Sequence, residues 1–227
     1  MRNIRVALIF GSGRERDPCD AVAMWTAEQI WSQGSFSLDV IDPATLPLRT
    51  LHRHDDRTEV MELRGRLGNA DAFVFVMPER DHGYPDAVNF VIDAANVEWQ
   101  AKPVGIVSYG GSSGGLRSVE QLRQTFAEHH AVTVLNSVNF GNVHRQFDVS
   151  GNLRQPYWPS VAMAAMLEKL HWWAVALRTA RKKRPYGLVR DRRSPYASLA
   201  FRLRQPPLAQ STASGAAVES DQARSTS

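Results

Sequence analysis

The chain reads as an α/β protein built in three layers, with a five-stranded parallel sheet between two layers of helices. Two observations predict this. Five short apolar, β-rich runs alternate along the chain with helical patterns, and alternation with right-handed crossovers produces a parallel sheet. Three of the five runs are almost continuously apolar, as strands covered on both faces must be. At 227 residues and 43% hydrophobic, the chain can bury one good core, so one domain is the default.

The elements follow in order. Residues 4–10 (IRVALIF) form the first strand. Basic residues precede this run, but its apolar stretch is only about six residues, short of a signal-peptide core of roughly 7–15. Residues 20–33 carry a helical pattern, and 37–41 (SLDVI) a second strand. A helical pattern over 59–69 leads to the third strand, 72–77 (AFVFVM), and another over 85–98 leads to the fourth, 103–109 (PVGIVSY). The pattern over 115–130 precedes the fifth strand, 132–138 (VTVLNSV). The last helix spans 159–182, where Val161, Met163, Met166, Leu167, Leu170, Trp173, Ala174 and Leu177 mark one face. Glu168, Lys169 and His171 interrupt it, so it is not a membrane span. Trp25, Trp31, Trp99, Trp172 and Trp173 lie in or beside these helices and suit core or interface packing. Two strand orders satisfy this pattern, and periodicity does not separate them. A domain over 1–182 is therefore expected, followed over 183–227 by a basic, then Ser/Ala-rich tail whose composition predicts disorder.

Charge narrows the function. Residues 178–204 carry ten Lys/Arg against Asp191, and residues 207–227 contribute −1, so within a net +4 the first 177 residues carry −4. A mildly acidic body with a basic tail is not a nucleic-acid-binding domain. The single cysteine, Cys19, excludes an internal disulfide and fits a reducing cytoplasm. His52 and His54 have no partner cluster, so no metal site is expected.

Three loops end at the carboxyl edge of such a sheet, where ligands bind. GSGRERD (11–17) follows the first strand; its small residues and Arg14 suit a phosphate, with an ordinary Gly-Ser turn the equal alternative. PERDHGYP (78–85) is stiffened by Pro78 and Pro85 and carries His82 and Tyr84, which suits a surface holding a planar ring. SYGGSSGG (108–115) joins a strand to a helix with bare backbone that can lie against a flat or anionic cofactor. No GxxxxGK[ST], no GxSxG and no complete dinucleotide fingerprint is present.

These loops carry a resemblance. The GS-x-R loop, the PE-x-x-HGYP segment and the block EWQAKPVGIVSYGGSSGGLRSVEQLR make residues 4–178 resemble the NADPH-dependent FMN reductases, flavodoxin-like proteins that include quinone, chromate and azo-dye reductases. The resemblance implies a flavodoxin-like sheet in the order 2-1-3-4-5 and a non-covalent FMN. It also implies NADPH or NADH as co-substrate, hydride passing through flavin N5 to a quinone-like or other small acceptor or to free FMN, and a homodimer or homotetramer. It further implies that Ser12 and Arg14 hold the phosphate. Pro78, Glu79, His82 and Gly83 would border the ring and ribityl chain, with Ser108, Tyr109, Gly110 and Gly111 on the other side. The chemistry is borne by the flavin, so no catalytic side chain and no metal is required.

The chain departs from the family at several positions. Gly13 stands where Thr is common, Asp17 where a basic or polar residue is usual, and Phe90 where Asn is common. Arg80 and Asp81 replace an aromatic and an amide. Either Arg80 lies at the flavin's pyrimidine edge and raises its potential, or it points to solvent, paired with Asp81 or Glu79. The alternative function is a flavodoxin-like scaffold that has lost its flavin.

Overall fold

A computed structural model describes residues 3–11, 19–46 and 57–189. The five strands are β1 (Ile4–Phe10), β2 (Phe36–Ile41), β3 (Ala72–Pro78), β4 (Pro103–Gly110) and β5 (Val132–Gly141). All pair in parallel, in the order β2-β1-β3-β4-β5. The expected sheet is present, and its order is the one the resemblance implies.

The central strands explain the apolar runs. Every residue of β3 is buried, and β4 is buried up to Gly110. One face packs on α1 (Cys19–Ser32) and α6 (Tyr157–Lys183) through Val22, Ala23, Met163, Met166, Leu167 and Leu170. The other packs on α2 (Arg57–Asn69), α3 (Asp86–Asp93) and α4 (Leu116–Glu128) through Leu63, Leu67, Val88, Val91, Leu122 and Phe126. The face expected for α6 is corrected in part: Met163, Met166, Leu167, Leu170 and Ala174 are buried, but Val161 and Trp173 are exposed and Leu177 is half-buried.

Three elements differ from the sequence reading, each for a local reason. Helix α3 stops at Asp93, although the apolar pattern runs to residue 98. The buried indole of Trp99 donates to the carbonyls of both Ile92 and Ala95 at 3.1 Å, closing the helix end against a cluster of Phe73, Phe75 and Phe126. Strand β5 runs on to Gly141 after a register shift opposite Val104 and Ile106. There the Arg123 guanidinium donates to the carbonyls of Val134 (2.6 Å) and Leu135 (2.7 Å), satisfying backbone that the irregularity frees. A one-turn helix, α5 (Val143–Gln146), follows β5 and has no apolar signature of its own.

Lys102 sits just before β4 and is buried. Its ammonium donates to the carbonyls of Leu67 (2.8 Å) and Gly68 (3.0 Å), closing the end of α2, and lies 5.3 Å from the centre of the Phe73 ring. Helix α6 runs through Lys183, and a short 3₁₀ turn at Tyr186–Leu188 follows. The remainder of the expected tail, residues 190–227, lies outside the described residues.

Candidate functional site

The chain reverses its strand order between β1 and β3, so the carboxyl ends of β1, β3 and β4 lie side by side and the loops leaving β3 and β4 open next to each other. Gly11 marks the exit of β1. Its N–H donates to the Val76 carbonyl at 2.6 Å, and a Cβ there would lie 2.5 Å from the Met77 Cβ, so only glycine lets the two backbones meet. Ser12, Gly13, Arg14 and Asp17, the expected phosphate loop and its departures, lie outside the described residues.

The loop after β3 is a tight turn. Arg80 N–H donates to Gly83 O at 2.9 Å and Gly83 N–H to Arg80 O at 2.7 Å, while Asp81 and His82 take φ of 46° and 66°. Positive φ at both central positions is the pattern of a type I′ turn, which Asp tolerates better than most side chains. Asp81 thus replaces an amide without breaking the loop. Ser118, at the start of α4, donates to Gly83 O at 2.7 Å, and the Tyr84 hydroxyl lies 3.1 Å from that of Thr125 on the same helix. Tyr84 therefore braces the turn against α4.

The loop after β4 is pinned from within. The buried Ser108 hydroxyl donates to Gly114 O at 2.6 Å and accepts from the Asn139 amide at 2.6 Å, and Asn139 Oδ1 in turn accepts from Ser137. Gly114 and Gly115 take φ of 63° and 87°, and a Cβ on Gly115 would lie 2.9 Å from the Ser108 Cβ. Asn142 N–H donates to Gly111 O, tying the exit of β5 to the same loop.

The two loops are joined to each other. Glu79 N–H donates to Tyr109 O at 3.0 Å, and Glu79 Oε2 accepts from the Ser113 hydroxyl at 3.2 Å. Glu79 Oε1 lies 3.7 Å from His82 Nδ1, and the Arg117 guanidinium bonds that same nitrogen. Guanidinium only donates, so Nδ1 accepts and the ring proton sits on Nε2. The exposed His82 is thereby held at the rim of the cleft rather than left to swing.

Glu79, Arg80, His82, Gly83, Gly110 and Gly111 thus share one polar rim, with Pro78 buried at the end of β3. Ser108 and Tyr109 differ in how they contribute. Ser108 spends its hydroxyl on the loop, and the Tyr109 ring is buried on the α1 and α6 side of the sheet. Both residues are buried, and the Tyr109 carbonyl accepts from Glu79 N–H. Sequence reasoning missed Ser113, Arg117, Ser118 and Asn139. Ser113 and Ser118 lie in or just after the Gly-rich loop, but nothing in the spacing says that their hydroxyls tie it to residues 79–83; Asn139 lies beyond the expected end of β5.

Flat backbone at Gly110 and Gly111, with open space where a Cβ on Gly111 would stand, fits an extended planar ligand, and the Arg117 guanidinium at the His82 side of the rim suits one that is anionic. Among the described residues no group of three or more His, Cys, Asp or Glu could hold a metal, and His52 and His54 lie outside them. No helix among the described residues is long and apolar enough to cross a membrane.

Comparison with known proteins agrees with this geometry. The family model for NADPH-dependent FMN reductases matches residues 4–145, more than half of the chain. An NAD(P)H-dependent FMN reductase of Schizosaccharomyces pombe is 29% identical over 120 residues, covering 49% of this chain and 60% of that protein. The chain thus spans less than two thirds of that relative's length. An NADPH:quinone oxidoreductase of Arabidopsis thaliana is 30% identical over 164 residues, covering 66% of this chain and 82% of that protein. Among solved structures, the flavoenzyme FerB, an NAD(P)H:(acceptor) oxidoreductase from Paracoccus denitrificans, superposes with a TM-score of 0.60 at 18% identity, covering 76% of this chain and 98% of that one. A Pseudomonas aeruginosa flavodoxin superposes with a TM-score of 0.50 at 19% identity, covering 72% and 99%. The likeness in fold and the match of the family's model over the strands and loops that build the cleft have one consequence: the chain belongs to the NADPH-dependent FMN reductase family.

Proposed function

We propose that the protein is an NAD(P)H-dependent FMN reductase that delivers electrons to a quinone-like or other small acceptor, or to free FMN. The observation that carries this reading is the cross-bonded pair of loops leaving β3 and β4, beside the β1/β3 switch point. Glu79 ties them through its N–H to Tyr109 and its carboxylate to Ser113, while Ser118 anchors the far side of the turn. Family membership and the relatives described as FMN and quinone reductases support it.

The chemistry that a bound FMN supplies is two-electron transfer from reduced nicotinamide to an acceptor; the protein binds, orients and tunes. In this reading Ser12 and Arg14 take the phosphate, while Pro78, Glu79, Arg80, His82 and Gly83 border the ring on one side. Gly110, Gly111 and the backbone of Ser108 and Tyr109 border it on the other. The loops hold their shape through their own hydrogen bonds, so little backbone ordering is needed on binding. The proton on His82 Nε2 gives the rim a donor that Arg117 keeps in place. The acceptor is a small molecule and the protein acts in the cytoplasm as a homodimer or homotetramer. The scaffold alternative gains no support, since the turn accommodates Asp81.

The test is direct. Purified protein is titrated with FMN, and NADPH and NADH loss is followed with and without a quinone. Flavin binding and quinone-stimulated NAD(P)H loss are expected. A protein that neither binds FMN nor consumes NAD(P)H in its presence would overturn the assignment.

A further inference from the structure

At the opposite, amino edge of the sheet lies a second cleft of about 370 Å³, lined by Asn3, Arg5, Ser37, Asp71, Arg178, Arg181 and Lys182. It is separate from the flavin cleft, because Asn3, Arg5, Ser37 and Asp71 lie at the entries of β1, β2 and β3 rather than at their exits. We infer that this cleft binds a small oligophosphate, a diphosphate group free or carried by a nucleotide.

The cleft is built rather than incidental. Asp71 sits at its centre and is engaged on both oxygens: Oδ2 accepts from Arg5 N–H (3.2 Å) and Arg178 Nη1 (3.1 Å), and Oδ1 lies 3.7 Å from Arg181 Nη2. Each guanidinium is also fastened to backbone, Arg178 to Asn3 O at 3.2 Å and Arg181 to Ala101 O. Two arginines fixed at several points lose little freedom when an anion arrives, unlike arginines loose on a surface.

The charge count favours a polyanion. Among the described residues lining the cleft, Arg5, Arg178, Arg181 and Lys182 face one carboxylate, Asp71. The C-terminal end of α6 adds roughly half a negative charge. The surplus is about two and a half positive charges, which a diphosphate matches and a simple monoanion does not. Burial, and then the nearby Arg181, push the Lys102 ammonium down to about 8, and burial and Arg178 lower Arg181 itself, against the pull of Asp71. A bound anion would offset the repulsion among these cations, not the burial. The volume accommodates a diphosphate with room for part of a larger molecule.

The experiment uses the full chain saturated with FMN, so that the carboxyl-edge phosphate loop is filled. Its melting midpoint is followed at low ionic strength against inorganic pyrophosphate and ADP. Pyrophosphate or ADP should raise the midpoint by a few degrees at saturation, roughly 2–6 °C, and the shift should fade with added salt. Arg178 and Arg181 also hold the fold, so the informative variants are Lys182→Glu and Arg5→Gln. Both side chains are exposed, and Arg5 meets Asp71 through its backbone. Each should weaken the anion about tenfold and leave FMN affinity unchanged. A stronger response to pyrophosphate than to ADP would assign the free diphosphate, and the reverse the nucleotide. No shift with either anion, or shifts that survive in both variants, would overturn the inference.

Discussion

At the scale of single residues, Gly115 shows how little freedom the Gly-rich loop has. An alanine there must take a φ of 87° and place its Cβ 2.9 Å from that of Ser108. A left-handed backbone costs about 1–2 kcal/mol and overpacking about 1–3 more, so Gly115→Ala should lose on the order of 2–5 kcal/mol by chemical denaturation. Gly65→Ala, where the added carbon meets open space, should not be destabilising. Lys102 makes a pH-dependent prediction. Its folded value, about 8, lies below the ordinary 10.5, so between the two the unfolded chain binds more protons than the folded one. Stability then rises with pH across that window, by about 3 kcal/mol in total; below pH 8 the penalty is fully present. Lys102→Met should abolish this rise while losing the two bonds that close α2. The difference between wild-type and variant denaturation curves at pH 7.5 and 10.5 checks it; parallel curves would refute it. For the half-buried Arg80, an interaction of about 1 kcal/mol with reduced flavin corresponds to roughly 20 mV. Arg80→Ala should lower the flavin potential by about that amount in a redox titration, and an unchanged value would place Arg80 away from the flavin.

At the scale of elements, what the sequence shows and what it hides divide along physical lines. The five strands and the main helices are legible because burial on two faces or one writes itself into periodicity: β3 reads AFVFVM and is wholly buried. The end of α3 was not legible. Residues 94–98 continue an apolar, helix-compatible text, and only the folded position of the Trp99 indole ends the helix. Likewise β5 outran its apolar run because Asn139 and Gly141 serve the β4 loop rather than the core. The rim of the site was legible in its two described loops, 78–85 and 108–115, since glycine, proline and position in the chain announce it; residues 12–17 of the third expected loop lie outside the described residues. Its internal bracing was not, because Ser118 and Arg117 become neighbours of Gly83 and His82 only when α4 packs beside the turn. Trp99→Phe keeps the aromatic cluster and removes the donor to two carbonyls; it should cost about 1–3 kcal/mol, measured by urea unfolding, with the far-ultraviolet spectrum unchanged.

At the scale of the whole molecule, the sheet separates two charged clefts, one at each edge, and the carboxyl-edge cleft is coupled to global stability through its loops. Ser108 lies on β4 in the middle of the sheet, yet its hydroxyl bonds both the Gly-rich loop and β5. A ligand that binds only the folded loops stabilises the entire fold by mass action, about 2.7 kcal/mol at a hundredfold excess over Kd. For a domain of this size that corresponds to roughly 5–11 °C in melting midpoint. Ser108→Ala removes an acceptor from the Asn139 amide and a donor from Gly114 O, and leaves the rim itself untouched. It should lower the midpoint without ligand, an intrinsic loss of about 1–3 kcal/mol, and should also shrink the FMN-induced rise, because the loop must now be ordered at the moment of binding. A variant that is destabilised but shows the full FMN-induced rise would mean that Ser108 supports the sheet alone and that the cleft organises itself independently of it.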